Sequence, residues 1–175
     1  MLTAGVDEVG RGALFGPVVA AAVILQPDKG EWLKAQGVSD SKALTAKKRK
    51  QLVPIIQSAV IDSQIGWVSA RQIDRINILQ ASLRAMARAI KQLSPQPVRC
   101  LVDGNQSIPE LKVQQETVIK GDQHVIEIAA ASILAKVWRD ELIVRLSSRY
   151  PGYDLASNKG YGSPKRRSPA KCLGL

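Results

Sequence analysis

The chain has 175 residues, 45% hydrophobic and 23% charged, enough to bury one sizeable core. Its 25 Lys plus Arg outnumber 15 Asp plus Glu, giving a formal charge of +10 and a pI near 9.9, a balance that points to a polyanionic partner such as nucleic acid. No apolar run is long enough to span a bilayer, no signal peptide is legible, and Cys100, Cys172 and the lone His124 make neither a disulfide framework nor a zinc site, so a cytoplasmic protein without membrane attachment is expected.

Residues 3–7 read as a first strand that ends at Asp7 and Glu8 and runs into Gly10-Arg11-Gly12. Neighbouring side chains on a strand point to opposite faces, so these two acids meet at one ion only if the chain ends or kinks there. The glycines supply that break, and Arg11 adds a fork of donors suited to phosphate. Pro17 to Leu25 is apolar without alternation, the pattern of a strand buried on both faces. Residues 26–40, punctuated by Pro27, Gly30 and Gly37, read mostly as loop. Ser39-Asp40-Ser41-Lys42 then leads into a short basic helix over 44–52 with Thr45 as its cap. Its cations, Lys47, Lys48, Arg49 and Lys50, make either a solvated face or a phosphate-facing patch.

Val60 to Val68 reads as a third strand. Ile73, Ile76, Leu79, Leu83, Met86, Ile90 and Leu93 step by threes and fours and predict a core-facing helix over 70–93, ended by Pro95 and Pro97. A fourth strand over 98–104 carries Asp103 at its end. Strand, helix, strand is a parallel crossover, and in open α/β sheets the functional crevice lies beyond the carboxyl ends of such strands. A fifth strand over 113–119 precedes Lys120-Gly121-Asp122, and a long helix follows over 127–150, its alanines suited to close packing on the sheet. Past Pro151, aromatic and basic residues mix through Asn158-Lys159-Gly160-Tyr161. One domain over 1–162 is expected, with a basic, proline-containing tail over 163–175 that is poorly ordered.

Each strand-end acid has an innocent explanation: Asp103 as a turn residue, Asp122 as a helix cap. Together with Asp7 and Glu8 they form a set that the innocent reading does not predict, because converging carboxylates repel and raise one another's pKa. A divalent cation resolves the conflict. Oxygen ligands without histidine or cysteine select Mg²⁺ or Mn²⁺. Two such ions about 4 Å apart activate water on one side of a phosphodiester and stabilise the leaving oxygen on the other. With a basic surface to hold the polyanion, the residues describe a metal-dependent nuclease.

The blocks Asp7-Glu8-Val9-Gly10-Arg11-Gly12, Gly16-Pro17-Val18-Val19, Asp40-Ser41-Lys42-Ala43-Leu44-Thr45, Val102-Asp103-Gly104, Lys120-Gly121-Asp122, the Ala129 to Val137 run, Arg139-Asp140 and Asn158-Lys159-Gly160-Tyr161 resemble bacterial ribonuclease HII, in order from Gly5 to about Gly162. The resemblance implies a ribonuclease H-like α/β fold, a five-stranded mixed sheet flanked by helices with a C-terminal helical and basic extension. It implies an endonuclease acting on RNA–DNA hybrids and on single ribonucleotides in duplex DNA, cutting 5′ to the ribonucleotide and leaving 3′-hydroxyl and 5′-phosphate ends. Asp7, Glu8, Asp103 and Asp122 match the four metal-binding acids of that family, and Gly10, Arg11 and Gly12 the segment that reads the ribose 2′-hydroxyl, the group that distinguishes RNA from DNA. Tyr161 matches a tyrosine packed on the next sugar, and Lys42 a phosphate-contacting lysine. A monomer is expected, with a replication clamp as the candidate protein partner.

Lys136 and Asp140, one helical turn apart, read as a salt bridge beneath the site. The departure from the family lies in Ser163-Pro164-Lys165-Arg166-Arg167-Ser168-Pro169, where proline argues against the usual helix and bears on substrate affinity. Two rival readings are an acid-lined DNA recombinase of the same superfamily, against which Gly10-Arg11-Gly12 and Tyr161 argue, and a non-catalytic nucleic-acid binder whose charge does all the work.

Overall fold

The computed structural model describes residues 1–109 and 111–162. The expectation for the 163–175 tail lies outside the described residues. Five strands, β1 (Thr3–Val9), β2 (Val18–Leu25), β3 (Val60–Val68), β4 (Arg99–Asp103) and β5 (Gln114–Val118), make one sheet in the order β3-β2-β1-β4-β5. β2 is antiparallel to β1 and β3, and β4 is parallel to β1 and β5. β2 alone therefore runs against the others, and the ends of β1 and β4 reach the same edge of the sheet. The expected mixed sheet and the parallel crossover both stand.

β2 is sandwiched because its composition allows nothing else. Val18, Ala20, Ala22 and Ile24 join one apolar cluster, while Val19, Ala21 and Val23 join a second on the opposite face. The first cluster is completed by α4 (Ile78–Gln92), which follows α3 (Ala70–Ile76). The second is completed by α1 (Lys29–Ala35), α2 (Ala46–Ala59) and α6 (Ile126–Leu146). Short helices α5 (Gly121–His124) and α7 (Leu155–Asn158) flank the carboxyl edge and the C-terminal loop. A fully buried Val, Leu or Ile contributes roughly 1.5–3 kcal/mol, against about 0–1 kcal/mol for an exposed ion pair, so these two clusters dominate stability.

The helices depart from the sequence reading in instructive places. α1 falls where a loop is expected: Pro27 and Gly37 bound it instead of interrupting it. Gly37, at φ +92, donates to the Lys34 carbonyl, and Val38 to the Leu33 carbonyl, closing the helix with a paired C-terminal motif. The single helix expected over 70–93 is broken at Asn77, which adopts φ 67 and whose side chain accepts from the Gln80 N–H to cap α4. α2 is capped by Thr45 as expected but continues past Pro54 to Ala59, because Leu52, Ile56 and Ala59 are buried along it. α6 stops at Leu146 rather than 150. No described helix is long and apolar enough to cross a membrane.

Candidate active site

Parallel pairing of β1 with β4 puts Val6 opposite Val102, so Asp7 and Asp103, one residue further on each strand, emerge side by side. β1 does not end at Asp7 but runs to Val9, and the break comes at Gly10, φ +101. Asp7 and Glu8 nonetheless converge, because Asp7 turns its carboxylate along the chain and accepts the Glu8 N–H at 2.7 Å. Oxygens of Asp7, Glu8 and Asp103 all lie within 4.8 Å of one another.

Asp122 stands at the side of this trio. It is buried in α5, caps neither α5 nor α6, and accepts from Lys42 Nζ at 2.9 Å. The link to the trio runs through Asp103, whose Oδ1 accepts the Gly121 N–H at 2.7 Å. Asp103 is thereby tied to the first residue of α5, where a Cβ on Gly121 would meet Ile128 Cδ1 at 2.4 Å and make that side chain shift.

The electrostatics of the trio are those of three carboxylates crowded together with little exposure to solvent. Burial lifts the Asp7 carboxyl well above its ordinary pKa, and repulsion from Glu8 and Asp103 adds to this, partly offset by a hydrogen bond from Ser132. Glu8 is raised by burial, with Arg11 opposing. Asp103 is raised by burial against the Gly121 hydrogen bond. Arg11 Nη1 reaches Glu8 only at 3.4 Å from a half-exposed position. Lys42 is raised by its bond to Asp122. An all-carboxylate donor set, with no histidine or cysteine, fits a hard divalent cation.

The remaining expected residues surround this cluster. Gly12 is open: a Cβ built there meets nothing within 4 Å, so neither packing nor backbone angle demands glycine. Tyr161 bridges Ala13 across the two loops, and its ring lies 4.9 Å from Lys136 Nζ. Lys136 and Asp140 form the expected ion pair at 3.0 Å. A cleft of about 210 Å³ opens beside Glu8, Arg11 and Asp103, lined also by Met86, Asn105 and Gln106.

Sequence reasoning gave no role to three residues that pack behind the site. Ser132 bonds Asp7 and shares a 2.8 Å hydroxyl contact with buried Ser41. Arg139 is fully buried behind the glycine turn. The available signal was a serine and an arginine on an otherwise small and apolar helix face.

The family model for ribonuclease HII matches residues 4–171. The chain belongs to the ribonuclease HII family. It is accordingly a ribonuclease H-type hydrolase, an enzyme class that depends on divalent metal. Similar relatives include ribonuclease HII of Acaryochloris marina, 63% identical over 98% of this chain and 86% of that protein, and of Trichormus variabilis, 58% identical over 94% and 73%. Among solved structures, ribonuclease H2 from Pyrococcus horikoshii matches with a TM-score of 0.82 at 29% identity, covering 100% of this chain and 90% of that one. RNase HII from Archaeoglobus fulgidus, solved as a PCNA complex, matches equally at 0.82 with 28% identity, covering 99% and 88%.

Proposed function

We propose that this ribonuclease HII-family chain is an endonuclease that cuts the RNA strand of RNA–DNA hybrids and single ribonucleotides embedded in duplex DNA, 5′ to the ribonucleotide. The observation that carries the reading is the convergence of Asp7, Glu8 and Asp103 within 4.8 Å, beside a turn in which Gly12 is open on its Cβ side. Asp7, Glu8 and Asp103 would hold one divalent ion, Mg²⁺ or Mn²⁺, and Asp122 would contribute to a second. When bound, such ions supply Lewis acidity toward an attacking water and a leaving oxygen.

The chain's own residues do the rest. Main-chain groups at Gly10 and Gly12 approach the ribose 2′-hydroxyl, which only RNA carries. The Arg11 fork and Lys42 face phosphate. Tyr161 packs on the following sugar, where a 2′-hydroxyl would intrude. Ser132, fixed by Ser41, orients Asp7. Hydrolysis breaks the bond between phosphorus and the upstream 3′ oxygen, leaving 3′-hydroxyl and 5′-phosphate ends. Residues 1–162 act as one catalytic domain, monomeric and cytoplasmic, serving ribonucleotide and RNA primer removal. The neighbour solved as a PCNA complex supports a replication clamp as a partner.

The test is a titration of Mg²⁺ and of Mn²⁺ against a duplex containing one ribonucleotide, with the cut mapped. Metal-dependent scission 5′ to the ribonucleotide, with the all-DNA duplex intact, is expected. Salt-sensitive binding without products, or equal cutting of all-DNA duplex, would overturn the reading.

A further inference from the structure

Arg139 is fully buried on α6, and its partners are main-chain carbonyls from two separate loops. Nε donates to Pro17 O at 3.0 Å, Nη2 to Phe15 O at 2.8 Å and Nη1 to Lys159 O at 2.8 Å. The first two carbonyls lie on the loop that leaves Gly10-Arg11-Gly12. The third immediately precedes Gly160 and Tyr161. One guanidinium therefore ties the glycine turn to the tyrosine, and it also lies 5.2 Å from the Tyr161 ring centroid.

The main chain repeats this link. Leu14 and Phe15 N–H groups both donate to Gly160 O, at 2.8 and 3.2 Å. Glycines fill the positions where the two loops and the guanidinium crowd together. A Cβ at Gly10 would stand 2.5 Å from Arg139 Nε, and one at Gly160 would stand 2.6 Å from Phe15 O. The first glycine of the turn is thus shaped by Arg139 as well as by its own φ of +101.

A buried charge resting on neutral carbonyls is a poor choice for core filling, since an apolar side chain of similar volume avoids the desolvation. What an apolar side chain lacks is a planar fork that fixes separate acceptors at set distances. We propose that Arg139 is a positioning residue for substrate selection: it fixes the spacing between the 10–12 turn and Tyr161, so that a ribose and the deoxyribose after it are sensed together. This rests on the assignment of those two elements to sugar recognition. Loosening the clasp then penalises a substrate that must satisfy both elements at one step, and spares an RNA–DNA hybrid in which every register offers a 2′-hydroxyl.

The test uses the full chain with Mg²⁺ and compares a duplex carrying one ribonucleotide with a uniform RNA–DNA hybrid. Arg139→Lys keeps the charge but not the fork, and Arg139→Met removes both. Misplacement by about an ångström is expected to lower kcat on the single-ribonucleotide duplex about a hundredfold in either variant, with KM and the hybrid rate changed little. Equal losses on both substrates, or full selectivity in Arg139→Lys, would overturn the proposal. If the Arg139 variants fail to fold, Gly160→Ala keeps Arg139 and forces the same loops apart; unchanged selectivity there would overturn it too. A wild-type chain without preference for the embedded ribonucleotide overturns the sugar-recognition assignment itself, an outcome told apart by the wild-type lane alone.

Discussion

Asp7→Asn is expected to lower metal-dependent cleavage about a thousandfold, the scale on which removing one preorganised charge from a reacting site acts, while making the metal-free protein more stable at neutral pH. The sign follows from burial. Asp7 holds its proton more tightly folded than unfolded, because burial and the nearby Glu8 and Asp103 raise its pKa. That contribution to stability is fully present below the unfolded-state value and is lost as pH rises through the folded-state value. The unfolding temperature of the metal-free wild type should therefore fall as pH rises above the ordinary carboxylate range, and the fall should be smaller in Asp7→Asn. Asparagine keeps an acceptor for the Glu8 N–H that Asp7 now receives at 2.7 Å. Near-wild-type turnover in the variant, or the same pH dependence as wild type, would defeat this view of the site.

The largest effect on folding is expected at Gly66, in the edge strand β3. A Cβ there would sit 2.1 Å from Ala85 O and 2.6 Å from Ala89 N, both main-chain atoms of α4. A helix cannot step aside as a flexible side chain does, so Gly66→Ala should cost about 3 kcal/mol, the upper end of ordinary overpacking. For a chain of this length that lowers the unfolding temperature by roughly 10 °C. Gly12 is the contrasting case. With nothing within 4 Å of its built Cβ, Gly12→Ala should leave stability within about 0.5 kcal/mol yet erode ribose selectivity. Calorimetry on both variants separates a glycine kept for packing from one kept for a ligand, and equal melting temperatures would contradict the distinction.

The sheet was legible because β2 carries an unbroken apolar run that only a doubly covered position can bury. The acids were legible because they lie at or just beyond the carboxyl ends of strands, close to glycines. α1 was not, since Pro27 and Gly37 look the same in sequence whether they interrupt a helix or bound one. Nor was the break at Asn77, because the apolar stripe keeps its phase from α3 into α4. The contacts completing the site are long-range: Lys42 meets Asp122 across 80 positions and Ser41 meets Ser132 across 91. Arg139 left the weakest trace, as its acceptors are backbone carbonyls that any residue would supply.

The gathering of Asp7, Glu8 and Asp103 around a shared cation is tested most directly by calorimetric titration of Mn²⁺ into the substrate-free protein and into Asp7→Asn, Glu8→Gln and Asp103→Asn. Saturable binding by the wild type is expected, with protons released below neutral pH from carboxyls whose pKa values burial has raised, and each variant should lose most of the affinity. A wild type that binds no divalent ion, or variants that bind as tightly as it does, would contradict the account.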